Sequence, residues 1–365
     1  MSLSDPLDST PAVDTPWNRP WPEDELATLS VCPVCASPER RVLYEDLIDN
    51  VFYCAPGKWT SWRCSACGSA YLDPYPSPAS IHLAYATYYT HREAPPKSDY
   101  AALGPLRKLR RRLVNGYTNW RFSTEETPAS SVGIFVLWAA WPFKIGLDQQ
   151  YRHLPRLPGG GGAVLDFGCG GGSFLRIAQS CGWNVTGVDP DPKAVANCRS
   201  QGLNVLQGGV EQFDGKDGLF DVITMSHVIE HVHDPVGVMK VCHRLLKPGG
   251  RLWLETPNVD SLGHRHYTRN WIGFDPPRHL MLFNPTSMRK ALIAAGFTHI
   301  EPQHGPTSLI GTTMASEAII KGLPIGSRIK LRSKQKWMIV KNSLLQALDP
   351  SCGENLTVVG FKTEG

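Results

Sequence analysis

An apolar run that ends in an acid and breaks into glycines, LDFGCGGGSFLRIA at residues 165–178, fixes the kind of fold open to this chain. AVLDF (163–167) suits a buried strand. The glycines let the backbone bend sharply and a ligand come close to it, and a helix is expected from Ser173. Beyond the turn, short apolar runs alternate with helical patterns, as parallel βαβ units do. Strands are predicted at NVTGVD (184–189), NVLQ (204–207), FDVITM (220–225), RLWLET (251–256), HIEPQH (299–304) and NLTVVGFK (355–362). Helices should follow the first, second, fourth and fifth strands, the last near PTSMRKALIAAGF (285–297).

The N–H groups of such a turn favour an anion, and many dinucleotide enzymes carry one. Two features point elsewhere. Asp166 sits directly before the turn, where a pyrophosphate would be repelled, whereas the ammonium and carboxylate of S-adenosylmethionine would be complemented. Ser173 occupies the place of the third glycine in a G-x-G-x-x-G spacing begun by Gly168 and Gly170. Asp189 ends the next strand, where a carboxylate can accept from both ribose hydroxyls; Asp191 is better placed to cap the following helix.

Taken in order, LDFGCGGGSF, GVDPDP, FDVITMSHVIEHVHDP and LLKPGGRLWLETPN resemble the class I S-adenosylmethionine-dependent methyltransferases over residues 160–300. The likeness is to the broad group of ubiquinone-type O-methyltransferases and many glycan methyltransferases. It implies a Rossmann-like α/β fold, a seven-stranded sheet whose last strand runs antiparallel. It also implies contacts to S-adenosyl-L-methionine at Asp166, Gly168, Cys169, Gly170, Asp189, Pro190, Gly209, Met225 and Ser226. Gly209 stands where many relatives carry an Asp that binds adenine, which leaves adenine to the backbone around Gly209 and Val210 or to Glu211. His227 replaces a Glu that in ubiquinone-type relatives helps hold a divalent metal, so no catalytic metal is expected.

Ligands of open α/β sheets lie beyond the carboxyl ends of the strands, where SHVIEHVHDP follows the fourth strand. His227 is the candidate general base, with packing against the cofactor or capping of a turn as the plain alternative. The stretch FDPPRHL (274–280) resembles the active-site lid of glycan-type relatives. There Arg278 and His279 would orient a polar acceptor, or the Pro-rich turn would only set the next helix, capped by Asn284 or Thr286. The polar lid favours O-methylation of a saccharide, nucleotide- or lipid-linked. The rival readings are O-methylation of a quinone or other aromatic metabolite, and an RNA-binding or RNA-methylating protein.

Upstream, CPVC (Cys32, Cys35) and CSAC (Cys64, Cys67) have the twin-knuckle form of a zinc ribbon, which would hold a structural Zn2+. The loop between them is longer than the usual spacing of about 15–20. Cys54, Cys169, Cys181, Cys198, Cys242 and Cys352 lack ligand spacing and read as ordinary thiols. The expected organisation is a disordered leader at 1–28, the ribbon at 29–75, a helical connector at 76–157 and the α/β domain at 158–365, with a basic insertion at about 307–350. A net charge of +4 on 365 residues is too slight to argue for a nucleic-acid partner.

The start, MSLSDPLDSTPAVDTP, has neither the basic end nor the apolar stretch of an export signal, so a reducing cytoplasmic location is expected. VGIFVLWAAWPF (132–143) would make a helix about 18 Å long, short of the ~30 Å bilayer core. Basic residues gather at Arg107, Lys108, Arg110, Arg111 and Arg112, and again at Arg328, Lys330, Arg332, Lys334 and Lys336. They read as solvated faces or as peripheral contact with the inner face of an anionic membrane.

Overall fold

A computed structural model describes residues 18–85, 100–156, 160–305 and 309–363. Five short strands come first: β1 (Leu26–Ala27), β2 (Arg40–Leu47), β3 (Trp59–Cys64), β4 (Ala70–Leu72) and β5 (Tyr75–Pro76). Three helices follow, α1 (Pro105–Phe122), α2 (Val132–Ala139) and α3 (Trp141–Gln150). The α/β domain then runs β6 (Ala163–Phe167), α4 (Ser173–Ser180), β7 (Asn184–Asp189), α5 (Pro192–Ser200), β8 (Val205–Gln207), β9 (Phe220–Ser226), α6 (Pro235–Leu245) and β10 (Leu246–Pro257). It continues through α7 (Leu262–Tyr267), β11 (Met281–Leu282), α8 (Pro285–Ala294), β12 (His299–Gln303), α9 (Leu309–Ile320), α10 (Ser333–Leu348) and β13 (Asn355–Phe361).

Seven strands form the main sheet in the order β12-β13-β10-β9-β6-β7-β8. β13 is antiparallel to both neighbours and slots between β10 and β12, while β6, β7, β8, β9 and β10 are mutually parallel. This is the Rossmann-like methyltransferase sheet expected from the sequence. The central strands are legible because helices cover both their faces, so they read as nearly unbroken apolar runs. Three helices share one starting device, an acid or amide followed by proline. Asp191 accepts from Lys193 N at 2.8 Å, Asp234 from Gly237 N at 2.8 Å and Asn284 from Ser287 N at 2.7 Å. Each side chain satisfies an orphan N–H of the first turn, and proline there costs no hydrogen bond. Asn284, not Thr286, is the cap of α8.

The N-terminal unit does not stand apart. Its sheet runs β11-β4-β3-β2, so a strand from the α/β domain completes it. Cys64, Cys67 and Tyr71 share one apolar core with Met281, Phe283 and Met288. Residues 1–17 of the expected leader lie outside the described residues, and its remainder is not disordered. Trp21 is buried edge-on against Trp59 at 5.2 Å and donates to Ser80 Oγ at 3.3 Å, and β1 pairs with β5. A Pro- and Asp-rich composition hid that aromatic anchor. No helix of the described residues is long and apolar enough to cross a membrane.

Candidate active site

The glycine turn leaves β6 at its carboxyl end and enters α4. Gly168 has φ +65°, and a Cβ there would collide with the Val228 side chain, so the turn closes directly onto the segment that follows β9. On its other side the turn is bare: a Cβ built at Gly170 or Gly171 would meet no atom within 4 Å. Asp189, at the tip of β7, accepts from Gly170 N at 2.8 Å and from Asp191 N at 3.0 Å. Pro190 is exposed beside it, whereas the Cys169 side chain is buried beneath the turn, its thiol pushed up by burial. Only the backbone of Cys169 is placed to face a ligand.

Asp166 is fully buried at the end of β6. It does not present a free charge, because the Arg152 guanidinium pairs with Oδ1 and the Thr224 hydroxyl donates to the same oxygen at 2.9 Å. Its second oxygen, Oδ2, is buried with no hydrogen-bond partner. Burial raises the Asp166 carboxyl above the usual range, with Arg152 pulling the other way. A buried carboxylate oxygen without a partner is what an ammonium group would satisfy. Met225 is entirely buried in the core, which leaves only its backbone to face a ligand. Ser226 donates to Glu255 Oε2 at 3.0 Å, and the Gly209 N–H goes to Glu211 Oε1 at 2.6 Å. Glu211 therefore caps its own turn.

His227 follows β9 in a left-handed conformation, φ +53°, with its N–H on Glu255 O at 2.8 Å. The side chain is 45% exposed. Its Nδ1 lies 3.2 Å from Glu230 Oε1, and Asn355 Nδ2 lies 3.4 Å from Nε2. A proton on Nδ1, donated to Glu230, leaves Nε2 as an acceptor whose lone pair faces the Asn355 amide. Burial works to lower the His227 pKa, but the Glu230 hydrogen bond and the Glu230 and Glu255 charges outweigh it and raise it. Glu230 has no exposure, and Thr256 Oγ1 donates to its Oε2 at 2.9 Å. Burial alone would raise its pKa; the histidines around it bring it down to about 2.

The FDPPRHL loop departs from its expected role. Arg278 is completely buried, paired through Nη2 with Asp49 and with Asp275 Oδ1 at 2.6 Å, and it donates to Ala84 O at 2.8 Å. Its place is between the α/β domain and the N-terminal unit, not before an acceptor. Trp271 and Phe274 are buried with Leu47 and Trp59 in the same junction, so the loop is packed down rather than open. His279 is 10% exposed, donates through Nδ1 to Gly273 O at 2.8 Å and holds Nε2 4.0 Å from Glu230 Oε1. It lies beside Glu230, inside the fold rather than facing an acceptor. His231 stacks edge-on against it at 4.7 Å, and ligand atoms of Glu230, His231 and His279 lie within 4.8 Å of one another. Both Glu230 oxygens are already bonded, to His227 and Thr256, which fits a trio that fixes the His227 ring.

The four knuckle cysteines converge. Cys32 and Cys67 Sγ lie 3.7 Å apart, Cys35 and Cys64 Sγ 3.5 Å, and all four fall within 4.8 Å of one another. Ligands about 2.3 Å from a tetrahedral zinc stand about 3.8 Å apart, close to these spacings. The two knuckles are built alike. Ala36 (φ +55°) and Gly68 (φ +73°) follow the second cysteine of each pair and return their N–H to Cys32 O and Cys64 O, at 2.9 and 3.0 Å.

A family model described as "Methyltransferase domain" matches residues 148–301. The chain carries a methyltransferase domain. Two curated relatives are ubiquinone biosynthesis O-methyltransferases. That of Pseudomonas aeruginosa (strain UCBPP-PA14) is 40% identical over 108 residues, 27% of this chain and 45% of the relative. That of Xanthomonas oryzae pv. oryzae (strain PXO99A) is 38% identical over 110 residues, 28% and 46%. The chain thus spans about half the length of the curated relatives it matches. Among solved structures, a SAM-dependent methyltransferase from Archaeoglobus fulgidus is 20% identical with a TM-score of 0.42, covering 60% of this chain and 94% of that one.

Sequence reasoning missed two residues that contact the candidate site. Arg152 lies in the turn just after α3, and Asn355 is the first residue of β13. Neither lies in a motif, so no spacing could have exposed them.

Proposed function

We propose that the chain transfers a methyl group from S-adenosylmethionine to a hydroxyl of a small acceptor, and that this acceptor is a phenol or quinol. The observation that carries the donor assignment is the bare face of the glycine turn, flanked by the Asp189 carboxylate and the unsatisfied Oδ2 of Asp166. Asp189 would hold the ribose hydroxyls, and the Asp166–Arg152 pair would set opposite charges against the amino-acid end. Bound there, S-adenosylmethionine supplies an electrophilic methyl group on a sulfonium sulfur. His227 takes the acceptor proton at Nε2, while Glu230 holds Nδ1 and steadies the charge that forms. The remaining work of the site is alignment.

An aromatic acceptor has better support than a saccharide. The relatives matched are ubiquinone O-methyltransferases, and the saccharide reading leaned on Arg278 and His279 as polar groups facing the acceptor. Arg278 is buried in a salt-bridged junction, which removes that support. A structural zinc on Cys32, Cys35, Cys64 and Cys67 is part of the proposal, and elemental analysis of protein purified without chelator should return one zinc per chain.

The central test uses labelled donor with a panel of catechols, quinols, sugar nucleotides, glycolipids and RNA. Label in the phenolic arm is the expected result. Label confined to sugars or RNA would overturn the acceptor, and calorimetry that finds no uptake of donor or of S-adenosylhomocysteine would overturn the enzyme.

A further inference from the structure

Helix α2 has the sequence VGIFVLWA, apolar on every side, yet only Gly133 and Leu137 are buried. A helix without a polar face belongs in an apolar medium. Here Phe135 is 76% exposed and Trp138 58%, and Leu106 on the neighbouring α1 reaches 83%. Leu109, Val136, Phe143 and Arg110 border an open groove of about 250 Å3 between these helices. None of the described residues covers this face, and apolar patches of such extent mark a surface built for contact.

Charge says what the contact is. α1 carries Arg107, Lys108, Arg110, Arg111, Arg112 and Arg121 and no acid. Arg110 lies over the Phe143 ring at 4.7 Å and Lys144 over the Trp138 ring at 4.9 Å, so cations rim the apolar face with their stems along it. Trp120, Trp138 and Trp141 are all exposed. Tryptophan at the boundary, apolar side chains beyond it and arginine around it are the chemistry of a helix lying in a lipid interface. Eight residues of helix measure about 12 Å, far too short to span a bilayer.

We propose that the exposed face of α1, α2 and α3 docks on the surface of a membrane containing anionic lipid, seating Phe135 and Trp138 among the acyl chains and the α1 cations among the headgroups. The docking is independent of the acceptor's chemistry, because it is read without methyl transfer.

Flotation of the full chain with vesicles tests it, using phosphatidylcholine alone or mixed with phosphatidylglycerol. Binding should appear with the anionic mixture at low salt and weaken as salt screens the charges. The double variant Phe135→Ser with Trp138→Ser should bind at least about tenfold more weakly, as should Arg107→Glu with Arg112→Glu. All four side chains are exposed, so an unchanged melting curve shows that the fold survives. No flotation on anionic vesicles, or equal binding by the variants, overturns the proposal. So does loss of binding only with Trp337→Ser and Leu344→Ser on α10. A change in sedimentation on mutating Phe135 and Trp138, without lipid binding by the parent, would assign the face to a second copy and overturn it as well.

Discussion

His227 and Arg278 show how differently two charged residues near one site can behave. With Nε2 as the proton acceptor, His227 must be neutral to work, and its pKa is raised above the ordinary 6.5. The acid limb of the kcat/KM profile should therefore lie above pH 6.5, activity growing as pH rises through it. Glu230→Gln removes the charge that raises it and should move the limb down, while His227→Asn should cost about 10²–10⁴-fold. An unchanged rate in His227→Asn would remove it from catalysis. Arg278→Ala leaves Asp49 and Asp275 buried without their counter-charge, a loss of about 3–5 kcal/mol by urea unfolding. A drop below about 1 kcal/mol would mean that water reaches the junction. Arg278 was misread because a sequence records that an arginine is near a motif, not that its partner Asp49 stands 229 positions away. The place of Asp189 at the tip of β7 was legible for the opposite reason: its partners Gly170 and Asp191 belong to two successive βα turns of the same motif.

At the scale of elements, the strands of the main sheet were readable and the joints between elements were not. Continuous apolar runs and an Asp-Pro start are local signals, so β6 to β10, β12, β13 and the Asp191 cap of α5 followed from them, while the cap of α8 was narrowed to Asn284 or Thr286. β11 is two residues long and is defined by its pairing with β4, which no local pattern encodes. The α1–α2 hairpin is a second hidden joint. A Cβ on Gly133 would fall on the Leu113 carbonyl, and one on Gly116 on the Ser130 carbonyl, so the two segments touch backbone to backbone. Ala in place of a helical Gly normally gains about 1 kcal/mol. Here a carbonyl cannot step aside, and Gly133→Ala should destabilise by on the order of 1–3 kcal/mol, seen as a lower Tm. A raised Tm would mean that the helices part freely.

For the whole molecule, buried ionisable groups set the response to acid. His231 and His153 have pKa values lowered by burial to about 4, so the unfolded chain binds protons that the folded one refuses. Their contribution is complete above pH 6.5 and is lost as pH falls towards 4. Glu230 and Asp49, both held at about 2, add a second loss below their unfolded values of 4.5 and 3.8. Asp166 opposes this trend, because its raised pKa favours the folded state once protonated. Urea midpoints measured across pH should therefore decline in two stages, and a flat response between 6.5 and 4 would contradict the buried neutral imidazoles. The borrowed strand β11 has a wider consequence. Excising the first hundred-odd residues to obtain a minimal catalytic fragment would strip β11 of its partner β4 and leave the Arg278 guanidinium in open water. The histidines steadied by that loop would then drift, so the fragment could keep its nucleoside-binding half and still lose turnover.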